Sequence, residues 1–165
     1  MTSTASSPAI APIAMIFAIN DALVLQALDG LTQEELWRSP APANNPILWV
    51  AGHIVYARTT ALKKLGEPVE LGWNIALFDR GQPRGNPQEY PSGAEVVEKM
   101  RDLSPRLQKA LASATEEQLA KPATIPIPGV KTVADELTFL ALHESYHVGQ
   151  LAYIRKGLGY PALVG

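Results

Sequence analysis

Four long stretches of this chain repeat their apolar residues at helical spacing, and none alternates in the manner of a strand. That pattern directs the chain toward helices packed on helices. The first stretch covers roughly residues 9–29 and ends near Gly30. The second opens in "NNPILWVAGHIVYARTTALKKLG", where Asn45 is placed to cap and Pro46 suits the first helical position, and it ends before Gly66. The third is "PSGAEVVEKMRDLSPRLQKALAS"; Ser92 and Glu95 have capping-box spacing, and Pro105 predicts a kink or a break. The fourth is "KTVADELTFLALHESYHVGQLAYIRKGLG", with Thr132 as cap and Gly157 or Gly159 at the stop. The apolar run "ATIPIPGV" is β-like in composition, but its prolines make it a loop or at most an edge segment.

The connectors carry information of their own. "LTQEELWRSP" and "ATEEQLAKP" each read as a short capped helix ended by proline, and each precedes a long helix that carries histidine. This suggests two similar halves. The segment 66–91 is rich in Gly and Pro and long enough to cross a bundle and join two parallel helices. Its Trp73, Phe78, Asp79 and Arg80 either pin it to the bundle or roof a substrate pocket. The expected architecture is all-α: a four-helix bundle with long crossover connections, forming a single domain over 1–165.

Composition narrows the function classes. The chain of 165 residues has a formal net charge of -2 and a pI of about 5.9, which gives no electrostatic reason to expect nucleic acid. With no cysteine, disulfides, thiolate ligands and a cysteine nucleophile are excluded, in keeping with a cytoplasmic protein. The N-terminal apolar run has no Lys or Arg before it and is interrupted by Asn20 and Asp21. It matches neither a secretory signal nor a membrane span, so no membrane partner is expected.

The chain has three histidines, His53, His143 and His147. On a helical wheel, His147 lies within the apolar arc of the fourth segment and His143 at its edge, their i, i+4 spacing stacking both rings on one side. His53 sits on the shoulder of the apolar face of the second segment, in line with Trp49, Tyr56 and Thr60. All three therefore point between helices, where imidazole nitrogens need partners. Either they are structural and individually satisfied, or they converge on a divalent metal. Imidazole suits Zn, Ni, Fe and Cu, and three ligands leave a position open for water or substrate.

Residues 143–147 also spell the metalloprotease pattern H-E-x-x-H. A protease of the familiar families takes its third ligand downstream, but after His147 there is no Glu, Asp or His. At the positions where a metzincin needs Gly and His, this chain has Gln150 and Tyr153. The protease reading loses its third ligand unless His53 supplies it from upstream.

"WVAGHIVYAR", followed much later by "HESYHVGQLAYIRKGLG", resembles the DinB-like (DinB/YfiT-like) superfamily. The resemblance runs from the first helix to the C-terminus, and its most specific part is H-x-x-x-H-x-G-Q with the upstream G-H. It implies a four-helix bundle and a divalent metal held by a histidine triad, which maps by position onto His53, His143 and His147. Zn or Ni is the expected metal, with Fe as the third candidate. Characterised relatives include thiol-dependent transferases and isomerases, using bacillithiol, mycothiol or glutathione; others are described as metal-dependent hydrolases. The resemblance therefore implies a thiol-dependent S-transferase or isomerase acting on a small electrophile with a low-molecular-weight thiol. The alternatives are a metal-dependent hydrolase and a bundle that binds metal or a small ligand without turnover.

Around the triad, Glu144 falls near the centre of the apolar face, where it would orient a ligand histidine, act as a base, or pair with a cation such as Arg155. Gln150 is placed to hydrogen-bond across helices, and Tyr146 points outward. Gly149 predicts close approach of another helix. Asp21 is a candidate extra ligand or base. A small-molecule substrate and a homodimer complete the expectations.

Overall fold

The computed structural model describes residues 10–79, 81 and 85–164. Residue 9 and Arg80 therefore lie outside the described part. The described residues form six α-helices: α1 (Ala11–Leu28), α2 (Gln33–Leu36), α3 (Ile47–Lys64), α4 (Gly93–Ala112), α5 (Glu116–Leu119) and α6 (Val133–Gly157). Two 3-10 turns, Ile75–Phe78 and Pro87–Glu89, lie between α3 and α4. No strand occurs among the described residues; "ATIPIPGV" contributes only to the loop beside an isolated bridge between Pro122 and Thr132.

Local chemistry starts these helices. Thr32, Ser92 and Thr132 each form a reciprocal capping box with Glu35, Glu95 and Asp135, and Thr115 caps α5 from its side chain. The look-alike connectors are thus both short helices opened by a threonine. Helix α3 starts one residue later than the sequence suggests. Pro46 is its N-cap, in extended conformation, and Asn45 makes no cap. Pro105 does not break α4. The proline removes one amide donor, but Arg101, whose carbonyl loses that bond, is on the solvent side where water replaces it. Helix α6 ends at Gly157, and Gly159, at φ +91°, takes the left-handed turn that follows.

The four long helices pack in a ring: α1 on α6, α6 on α3, α3 on α4, and α4 on α1. Cross-helix bonds fix their directions. Asn20 meets Ser145, and Ala27 receives Arg155, so α1 and α6 run parallel. Arg58 meets Glu144 while Lys64 meets Glu136, so α3 opposes α6. Ser104 meets Asp21 while Gln108 reaches Ala14, so α4 opposes α1. It follows that α3 and α4 are parallel neighbours, and the long 66–91 connection is the crossover that parallel neighbours require.

Helix α1 has a mean hydropathy of 1.7, long and apolar enough by composition to cross a membrane. Here it is a wall of the bundle, and its Ile13, Phe17 and Val24 enter one core with Ile54, Met100, Leu103, Leu137 and Leu151. The core is mainly apolar, but a charged cluster is buried at its middle. Arg58, 1 % exposed, is clamped by Glu144 at 2.8 Å (Nε to Oε2) and 2.7 Å (Nη2 to Oε1). It also donates to Asp21, to Ser104 Oγ at 2.8 Å and to the Phe17 carbonyl. One guanidinium thereby ties α1, α3, α4 and α6 together. Burial works against the charge on Arg58, but Glu144 and Asp21 outweigh it and hold its pKa above the ordinary value.

Candidate metal centre

His53 comes from the second turn of α3, and His143 and His147 come from the middle of α6. Because α3 and α6 are antiparallel neighbours, the three rings meet. Nε2 of His143 lies 3.3 Å from Nε2 of His53 and 3.0 Å from Nε2 of His147. Ligand atoms about 2.0–2.1 Å from a tetrahedral metal lie about 3.3 Å from one another, so this spacing is the spacing of a chelate.

Two outer contacts decide which nitrogens face inward. Nδ1 of His53 lies 2.8 Å from the carbonyl oxygen of Phe78, which can only accept, so that nitrogen carries the proton. Nδ1 of His147 lies 2.7 Å from Oε1 of Gln150 and donates in the same way. His53 and His147 therefore both turn a bare Nε2 lone pair toward Nε2 of His143. A single proton there serves one of them at a time, whereas one divalent cation satisfies all three. The residues present fit a metal ion.

The surroundings hold the cluster in shape. Trp49 stacks on His53 with centroids 4.9 Å apart and planes at 8°, and its indole N–H donates to the Leu77 carbonyl at 2.8 Å. Phe78 is fully buried. Its ring sits in a notch at Gly52, where a Cβ would overlap the ring atoms Cε1 and Cζ. The close approach that Gly149 was expected to allow is found instead at Gly52, since a Cβ at Gly149 would meet nothing within 4 Å. The aromatics of the 66–91 segment thus pin it to the bundle, with Trp73 and Tyr90 flanking Phe78.

The cluster opens into a cavity of about 580 Å³, walled by Asn45, Trp49, Phe139, Leu142, Tyr146 and Gln150 as well as the three histidines. Tyr146 is outward-facing as expected, 64 % exposed, with its ring 5.3 Å from that of His147. Gln150 bonds within its own helix, to His147, rather than across helices. Glu144 and Asp21 do not face this cavity. Both oxygens of Glu144 are bound by Arg58, so of the three roles open to it the structure shows the ion pair, with Arg58 in place of Arg155. Burial pushes the Glu144 carboxyl above its usual range, and Arg58 offsets this only in part. Asp21 is likewise turned to Arg58 and Ser104. Arg155 holds the end of α1 through the carbonyls of Ala27 and Asp29, and stacks over Tyr160.

A ring of four long helices with a convergent three-histidine group at one helix pair defines a bundle built around a metal-ready centre. The DinB superfamily family model matches residues 17–151, and the chain belongs to that superfamily. Among solved structures it is similar to a conserved protein of Enterococcus faecalis, with 15% identity, a TM-score of 0.70, and coverage of 90% of this chain and 96% of that one. It is also similar to YfiT from Bacillus subtilis, described as a probable metal-dependent hydrolase with an unusual four-helix bundle topology. That match has 12% identity and a TM-score of 0.67, and covers 98% of this chain and 94% of YfiT. At these identities the likeness concerns the fold. No curated protein matches the chain.

Proposed function

We propose that this protein is a metal-dependent enzyme that transfers a thiol sulfur to, or isomerises, a small electrophilic substrate. In this reading His53, His143 and His147 hold a divalent ion, Zn or Ni before Fe, through their Nε2 atoms. When bound, such an ion supplies Lewis acidity, lowering the pKa of a thiol or water that reaches its open position.

The observation that carries the choice of thiol over water is the lining of the cavity. Among the described residues, that lining contains no carboxylate, and the Glu of H-E-x-x-H is occupied by Arg58. Hydrolysis on the H-E-x-x-H plan needs that base to take a proton from water. A thiol ionises far more readily and makes a strong nucleophile without one. The chain's own residues then do three things. Phe78 and Gln150 hold the imidazoles in the tautomer that faces inward. Trp49, Phe139 and Leu142 offer an apolar wall to the substrate. Asn45 and Gln150 supply amide groups that orient a polar substituent. The hydrolase reading has the description of YfiT in its favour and remains the alternative.

The test is elemental analysis of protein purified without a histidine tag, beside His143→Ala. The proposal expects about one metal per chain, lost in the variant. It further expects conjugation of a thiol to an activated aryl halide that falls to background in metal-free protein. Turnover that survives removal of the metal, or that ignores added thiol while an ester is hydrolysed, would overturn it.

A further inference from the structure

The metal-site cavity does not end at the metal site. Asn45 and Gln150, which line it, also line a second depression of about 410 Å³ on the far side of Gln150. That depression shares Pro40, Tyr153 and Ile154 with a third, of about 550 Å³, whose walls include Arg38 and Lys156. The three adjoin as one groove that winds about half-way around α6, from the histidines past the exposed ring of Tyr153 to the end of the helix.

The far end of that groove is cationic. Arg38 and Lys156 are both exposed, and neither makes an ion pair or a side-chain hydrogen bond among the described residues. The carboxylate one turn before Arg38 is unavailable to it: Glu35 accepts from Thr32 and from Tyr160. The other cation of this region, Arg155, is buried on backbone carbonyls. Two cations of different shape, one a guanidinium fork, thus face one groove and have no side-chain partner among the described residues.

We infer that this groove binds an elongated substrate or co-substrate whose reactive end lies at the histidines and whose anionic tail, a carboxylate in its simplest form, lies between Arg38 and Lys156. The inference rests on the metal reading for the identity of the reactive end only. His147 and Lys156 are nine positions apart on α6, about 13 Å along the axis and about half a turn around it, so a molecule that follows the groove spans roughly 20 Å.

The probe is mercaptoacetyl-pentaglycine, whose thiol and carboxylate are about 20 Å apart when extended, against its C-terminal amide and against mercaptoacetyl-glycine. Binding to Zn-loaded protein is measured by calorimetry, in wild type and in Arg38→Ala/Lys156→Ala. The pentaglycine acid is expected to bind about 3- to 10-fold tighter than its amide, as two exposed charge contacts allow. That advantage disappears in the double variant and shrinks in high salt, while the short acid shows none. Equal binding of acid and amide to the wild type, or an advantage that persists in the variant, overturns the inference. Zinc stoichiometry, measured first, reports on the metal reading separately. If no zinc binds, the same probe is titrated into metal-free protein and followed by the amide resonances of Tyr153 and Gly157. Shifts that the double variant loses keep the cationic subsite, and their absence removes it. Since both side chains are exposed and unbonded, the variant should melt with the wild type, and a single Lys156→Gln gives an intermediate advantage.

Discussion

Replacing Glu144 by glutamine separates a structural from a chemical role for the middle residue of H-E-x-x-H. The side chain is 1 % exposed and gives both oxygens to Arg58 at 2.7 and 2.8 Å. Glutamine keeps the shape and one acceptor, but sets an amide NH2 against an arginine N–H and removes the charge. Removing one partner of a buried pair costs about 3–5 kcal/mol, and the lower end applies because Asp21 still neutralises Arg58. For a chain of this length, about 3 kcal/mol corresponds to a Tm lower by roughly 6–12 °C. Thermal unfolding by circular dichroism measures this, and a zinc competition titration below the transition measures metal affinity. Affinity is expected within about 3-fold of wild type, because neither oxygen of Glu144 is committed to a histidine and glutamine keeps one acceptor for Arg58, so the tie between α3 and α6 persists. A Tm within about 2 °C of wild type would refute the buried-clamp reasoning. So would an unchanged Tm with lost zinc binding, which would place Glu144 in the metal site. Arg58→Met should be worse than Glu144→Gln, since it leaves Glu144 and Asp21 together without a counterion.

Gly52→Ala should push the Phe78 ring out of its notch and with it the carbonyl that orients His53. The expected result is a loss of about 1–3 kcal/mol in urea unfolding together with a metal affinity about 10- to 100-fold weaker. Zinc at 100 times its Kd should stabilise the wild type by about 2.7 kcal/mol and leave His143→Ala unmoved, as read by scanning calorimetry with and without a chelator. Burial works against the charge on Glu136, but Lys64 and the amides of Thr124 and Ile125 outweigh it and hold its pKa below the ordinary value. A depressed carboxyl contributes stability that is complete above its unfolded value and is lost as pH falls through the folded one. Urea denaturation from pH 6 down to pH 3 should therefore show a shallower acid-side decline in Glu136→Gln than in wild type.

The sequence pattern was legible at most places where a local rule applied, the start of α3 at Asn45 and Pro46 being an exception. Ser92 with Glu95, and Thr132, announce helix starts because a capping box involves residues three apart. The length of 66–91 announced a crossover because parallel helices need one. The histidines could be placed on facing sides because α3 and α6 are regular. What escaped was non-local. The acceptor for His53 is a backbone carbonyl from a loop, a group every residue carries, so nothing in "ALFD" marks it. The pattern of α6 alone points Glu144 to Arg155 on its own helix, whereas its partner Arg58 carries a signal on α3. It follows Ile54 and Ala57 on the apolar arc of α3, where a lone arginine needs a buried acid. Asp21, which interrupts the apolar run of α1, belonged to the same puzzle.

The clamp and the histidines also have a joint geometrical consequence. Two of the imidazoles ride on α6 and move as one body, so the ring of His53 can leave them only if α3 slides or pivots. A single bond between two rods permits a pivot; two bonds at different heights do not. Arg58–Glu144 and Lys64–Glu136 are such a pair, both placed toward one end of α3. The Nε2 spacing is thereby held from about one and a half and about three turns further along α3. Lesions at Lys64 or Glu136 would reach the imidazoles as an error of angle, although neither residue touches them.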